Sequence, residues 1–263
     1  MRKITLFMII AFLLAAFLTG CNKPATTEPQ ATVTPTDAPA EGPSETATEA
    51  NPSEEEDIVY EGDASSYYID VAYGNQIGRY HTALVEKWNE DQYIENGMCE
   101  VLAAYYDGNP LENVGFGFVD LDNDGYWELI IGAIQDAETE PAVFEIWTLM
   151  NGEPVMVVQA SAKRQYTLQY VEEDNAWYVA GEEVDTVFRH ATYFLKLNEG
   201  MLEVMQGIVY DAEADEKNPW FMTYDMDWDV SNDEPIDEEM ANAILDSNRK
   251  HYTALEYFPY IFY

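Results

Sequence analysis

Basic residues are scarce in this chain. Of 263 residues only 12 are Lys or Arg, against 50 Asp or Glu, which sets the formal charge at -38 at pH 7. Contacts to phosphate are made by Lys and Arg, so the deficit excludes nucleic acid as a partner and makes the protein surface repel anionic lipid. Two cysteines cannot build a disulfide framework, and none of the three histidines lies in a metal or catalytic motif. Nucleophile-elbow, His-Glu-x-x-His, phosphate-loop and dinucleotide signatures are missing. Strand and helix patterns do not alternate, which argues against a doubly wound nucleotide fold. No repeat of the propeller or solenoid kind occurs either. What the chain does have is apolar mass: 47% of it is hydrophobic and 14% aromatic, enough to build a core.

The longest apolar run is Ile4 to Leu18, preceded by Arg2 and Lys3. It is shorter than the ~20 residues of a comfortable membrane span and has the size of a signal-peptide core. It leads into Leu18-Thr19-Gly20-Cys21, which resembles the lipobox of bacterial lipoproteins. The resemblance implies cleavage before Cys21 and acylation of its thiol; an ordinary secretory signal with an incidental cysteine is the alternative. Residues 22–57 carry Pro24, Pro29, Pro35, Pro39, Pro43 and Pro52, many Thr, Ala and Glu, and no aromatic residue. Such a segment cannot bury enough apolar surface to offset its ordering entropy. The expected organisation is a signal peptide over 1–20, a lipidated Cys21 with a disordered acidic tether to 57, and one folded domain over 58–263.

Within 58–263, Ile77, Tyr80, His81, Leu84 and Trp88 recur at helical spacing, and Ile94, Met98, Val101, Leu102 and Tyr105 do so again. From Val114 the period becomes two. Strands are expected at 114–119, 128–134, 143–149, 155–160, 166–171, 177–180, 192–197, 202–210 and 221–230. Turns are expected at Asn151-Gly152, Glu173-Asp174-Asn175 and Asn198-Glu199-Gly200. Consecutive hairpins give an antiparallel meander. Asp237 reads as the N-cap of a closing helix that ends in Arg249, Lys250 and His251, charges that suit the helix dipole. The fold class is therefore α+β: an antiparallel β-meander sheet with two N-terminal helices and one C-terminal helix packed on it. The apolar stretch 257–263 is expected to dock on the sheet.

The sharpest motif is Asp120-Leu121-Asp122-Asn123-Asp124-Gly125-Tyr126-Trp127-Glu128. Acids at loop positions 1, 3, 5 and 9 supply oxygens on alternate residues of a tight turn, which suits a hard cation such as Ca²⁺, and Gly at position 6 permits the bend. Without a cation the four carboxylates would repel one another. An EF-hand would need Glu where Ile131 stands, so the loop is not an EF-hand. A strand on either side makes it resemble the calcium loops of FG-GAP and integrin-propeller repeats. Lipobox, acidic tether, helices and this strand–loop–strand together are similar to a group of largely uncharacterised surface lipoproteins of Gram-positive bacteria. The resemblance implies Ca²⁺ held by Asp120, Asp122, Asp124 and Glu128 with the backbone carbonyl of Tyr126. An acidic turn without a metal is the alternative.

Weaker signals remain. Asp225, Asp227 and Asp229 alternate with Met226, Trp228 and Val230, which on a strand places three carboxylates on one face, either as a solvated surface or as a second cation site. Trp127 and Trp220 are the aromatics expected to be exposed enough to stack on a glycan. Cys99 reads as a small buried hydrophobe and His81 as a packed core residue. No catalytic residue emerges. The expected function is a lipid-anchored extracellular calcium-binding module on the outer face of the bacterial cytoplasmic membrane, acting as a binding or interaction protein of the cell envelope. Its partners would be a glycan or an envelope protein, with the membrane contacted through the lipid anchor only. The alternative is a carboxylate-dependent hydrolase of surface polysaccharide.

Overall fold

The runs of alternating residues separated by turn signals pair into an eleven-stranded antiparallel sheet. The computed structural model describes residues 64–105, 108–134 and 142–263. The chain divides into two units, Met1–Glu56 and Asp57–Tyr263. All described residues belong to the second, so the expectations for the signal peptide, Cys21 and the tether lie outside them.

The strands are β1 Val114–Val119, β2 Glu128–Ala133, β3 Val143–Met150, β4 Glu153–Gln159, β5 Arg164–Val171, β6 Ala176–Thr186, β7 Arg189–Asn198, β8 Met201–Asp211, β9 Trp220–Thr223, β10 Glu234–Pro235 and β11 Phe258–Pro259. Their order across the sheet is β10-β9-β8-β7-β6-β5-β3-β2-β1-β11, with β4 paired to β3 beside this path. Hairpins follow from the turn residues. Asn151 and Gly152 take φ of 55° and 79°, and Glu199 and Gly200 take 49° and 77°, the left-handed pairs that match the twist of two-residue hairpins. β2 is buried along its whole length.

Helical segments precede the sheet. α1 (Ala64–Tyr67) runs into a π turn, Tyr68–Ala72. α2 (Gly74–Glu86) buries Ile77, Tyr80, Ala83 and Leu84 and stops at Lys87, whose φ is 50°. The second expected helix is corrected by the structure. It breaks at Gly97, with φ of 62°, into α3 (Glu90–Glu95), closed at its start by an Asn89–Gln92 capping box, and a 3₁₀ turn, Glu100–Tyr105. α4 (Pro110–Asn113) leads into β1. α5 (Glu238–Arg249) starts where Asp237 accepts a hydrogen bond from the Met240 amide at 2.7 Å, and it sets Ala241 against Ile208, Met222 and Ile236.

The main core joins α2, the 3₁₀ turn and the sheet, with Ile77, Leu84, Phe116 and Phe144 fully buried. Each such side chain contributes on the order of 1.5–3 kcal/mol. The stretch 257–263 docks as expected: Phe258–Pro259 extends the sheet beyond β1, and Tyr260 is buried. Gly115 and Gly132 oppose each other in β1 and β2, and a Cβ on either would run into Tyr257.

The expected strand 221–230 is also corrected. β9 ends at Thr223. Beyond it the Asp227 amide donates to Asp225 Oδ1 (3.2 Å), Asp229 to Asp227 Oδ1 (2.7 Å) and Ser231 to Asp229 Oδ1 (3.1 Å). These local bonds give the backbone an alternative to a ladder, and the alternation of residue types mimics a strand that is not there.

Candidate metal centre

The hairpin that joins β1 to β2 is closed by the Val119–Glu128 pair, and the acidic loop is what it spans. Leu121 is buried and anchors the loop to the core. Above it the chain curls: Asn123 and Gly125 adopt φ of 61° and 91°, left-handed values that Asn and Gly tolerate best. The curl aims amides at the acids. Asp124 N donates to Asp120 Oδ1 (3.1 Å) and to Asp122 Oδ1 (3.2 Å), Gly125 N to Asp120 Oδ2 (3.1 Å), and Tyr126 N to Asp124 Oδ1 (2.7 Å). As a result Asp120, Asp122 and Asp124 each present a carboxylate oxygen within 4.8 Å of the others. Burial, then the charge of Asp124, raises the pKa of Asp122. Three hard oxygens this close suit Ca²⁺ in kind and spacing.

Glu128 stands apart from that group. It is fully buried, with Oε2 accepting from Leu121 N at 2.7 Å and Oε1 from Thr148 Oγ1 at 2.9 Å. Burial pushes its carboxyl up to about 7 despite these two bonds. The structure therefore gathers Asp120, Asp122 and Asp124 and sets Glu128 beneath them, clamping the loop's start to β3. Tyr126 is exposed.

A brace that sequence reasoning missed supports the loop from the helical side. The Trp127 ring stacks on Tyr68 (centroids 5.3 Å apart, planes at 16°), and its amide donates to the Tyr68 hydroxyl at 3.1 Å. Tyr73 donates to the Trp127 carbonyl at 2.9 Å. The aromatic cluster Tyr67-Tyr68 and Tyr73, ahead of the first expected helix, was the available signal. Trp127 thus offers one ring face at most. Trp220 is part-buried against the Ile208–Met222–Ile236 cluster and meets Tyr210 edge to face at 4.9 Å. In the sheet order β8, β7, β6, β5 and β3 lie between β9, which carries Trp220, and β2 beside Trp127. The two tryptophans form no common strip.

A second buried acid, also unforeseen, is Glu145 on β3. It accepts from Cys99 N (3.1 Å), Trp147 Nε1 (2.8 Å) and Gln159 Nε2 (2.7 Å), and burial raises its pKa. Its neighbour Cys99 is buried, and burial pushes the thiol up to about 12, which leaves it inert at neutral pH. Asp225, Asp227 and Asp229 do not gather; among the described residues the metal-competent group is Asp120, Asp122 and Asp124. No described helix is long and apolar enough to cross a membrane. No protein-family model matches the chain, and neither does any curated protein or solved structure.

Proposed function

We propose that the protein is a calcium-binding module of the bacterial cell envelope, anchored through an acylated Cys21 and facing outward, which acts by binding a glycan or an envelope protein. The convergence of Asp120, Asp122 and Asp124 carries the metal reading. These three would hold the ion with the carbonyl of Tyr126. Glu128, which the sequence resemblance also names as a ligand, orients the loop through Leu121 and Thr148. A bound Ca²⁺ supplies charge neutralisation and rigidity. Binding is favoured over polysaccharide hydrolysis because the acids with raised pKa in the core, Glu128 and Glu145, have their oxygens engaged in hydrogen bonds and do not line two hollows, of about 100 and 400 Å³, among the described residues.

The metal is tested by thermal melting in excess EDTA and in millimolar Ca²⁺. With a dissociation constant of about 10⁻⁴ M, 1 mM calcium adds about 1.4 kcal/mol, or about 3–6 °C in Tm. Equal melting temperatures would remove the calcium reading. Intact-mass analysis of the native membrane fraction tests the anchor: an acylated chain beginning at Cys21 is expected, and a soluble chain cut elsewhere refutes it.

A further inference from the structure

We propose that the hollow between the end of α5 and strands β6 to β8 is a binding site for a neutral saccharide unit. This deepens the reading of the protein as a binding module but is independent of the calcium loop. The hollow measures about 400 Å³, within the range of small-ligand sites. Its floor is the sheet: Tyr178 on β6, Phe194 on β7 and Gln206 on β8. A β-bulge breaks the β7–β8 register here. Phe194 pairs with Gln206 and Leu195 with Val204, so Met205 is the extra residue and stands 47% exposed at the rim. Bulges re-aim side chains in this way beside functional sites.

The walls come from separate elements and are fixed to the sheet. Ser247, Asn248 and His251 form one side. They are held because Gln169 Nε2 donates to the Asn248 carbonyl (3.1 Å) and Tyr170 N to the His251 carbonyl (3.0 Å). Asp174, in the β5–β6 turn, forms another side and accepts from the Tyr178 hydroxyl at 3.1 Å. Tyr224, just past β9, completes the rim and is 63% exposed. A large ring left in water beside a pre-shaped hollow is apolar area available to a ligand.

The lining selects the ligand class. No Lys or Arg lines the hollow, so nothing offers the paired cationic donors that hold phosphate or carboxylate groups. Amide, hydroxyl, imidazole and carboxylate groups alternate with Tyr, Phe and Met. That mixture fits a molecule with one C–H face and a rim of hydroxyls, which is a neutral pyranose. A quaternary ammonium would use the aromatics and Asp174 but has no donor for Ser247 or for the amide oxygens of Gln206 and Asn248, whose nitrogens already donate to Met222 Sδ and the Ile244 carbonyl.

The test is calorimetric titration of the full chain with maltose, cellobiose and N,N′-diacetylchitobiose, and separately with choline, in calcium and in EDTA. At least one disaccharide is expected to bind in both media. Tyr224→Ala, at an exposed position, is expected to weaken that binding at least tenfold, and Asp174→Asn several-fold, with melting temperatures unchanged. The proposal is overturned if no disaccharide binds, if binding is indifferent to Tyr224→Ala, or if choline binds in a Tyr224-dependent way and the sugars do not. Loss of sugar binding with the calcium shift intact removes this site alone, whereas sugar binding without any calcium shift keeps the site and removes the metal.

Discussion

The spacing Asp-x-Asp-x-Asp occurs twice, at Asp120–Asp124 and at Asp225–Asp229, and folds in two different ways. In the first run Asn123 and Gly125 turn left-handed, and the three carboxylates close on one point. In the second no described residue has positive φ, and each carboxylate accepts the amide two residues on. The surroundings reinforce the contrast. Arg189 holds the second run by donating to the Trp228 carbonyl and lying 4.9 Å over its ring, while pairing with Asp211 at 3.0 Å. Among the described residues no Lys or Arg pairs with the first run, which is supported from below by Glu128. A regular spacing of acids thus brings its carboxylates together where the backbone curls and leaves them apart where it does not.

The largest expected effect is on the support. Glu128→Ala leaves the Leu121 amide and the Thr148 hydroxyl unpaired and opens a void, and should cost about 2–4 kcal/mol in urea unfolding. A cost near zero would mean that Glu128 does not hold the loop. Next comes the curl: Gly125→Val forces a β-branched side chain to φ of 91°, which should cost about 1–3 kcal/mol and abolish the calcium shift together. If the shift survives, the left-handed turn is not what gathers the acids. Asp122→Ala removes one ligand without that strain, so it should erase the calcium shift while changing stability in EDTA little, or raising it by relieving repulsion.

A smaller effect separates the runs by pH. In EDTA the folded state holds the Glu128 proton up to about 7, against an ordinary carboxyl value of 4.5. Its stabilising contribution is full below 4.5 and is lost as pH rises through about 7, so urea midpoints should fall from pH 5 to pH 7.5. Asp122 adds a loss of the same sign, and calcium should flatten the slope. Asp229 is shifted the opposite way, downward through its bonds to Ser231; its share is present above the ordinary range and disappears on acidification. A midpoint that rises toward neutral pH in EDTA contradicts this account. Smallest of all, Asp227→Ala should cost under about 1 kcal/mol and leave the calcium shift as it is.

What was legible in the sequence is what local chemistry decides. β1 runs from Val114 to Val119 as the alternation required, and Asn151-Gly152 and Asn198-Glu199-Gly200 turn where expected. The Asp237 cap and the gathering of Asp120, Asp122 and Asp124 are likewise products of neighbouring residues. The misreadings arose where local chemistry had a second option: Gly97 broke a helix that apolar spacing would have continued, and side-chain turns replaced a strand after Thr223. Tyr68 and Tyr73 beneath Trp127, the bonds from Cys99 and Gln159 to Glu145 and the hollow under α5 join residues far apart in the chain. No window of sequence contains them.

The seating of Tyr257 over Gly115 and Gly132 bears on the order of folding. Strand β11 pairs Pro259 with Gly115, a contact spanning about 140 residues, and contacts of that range slow the search for the native state. Until it forms, β1 is an open edge beside the acidic hairpin. The hairpin's outer side is therefore finished among the last steps of folding, once the chain between these two strands is in place.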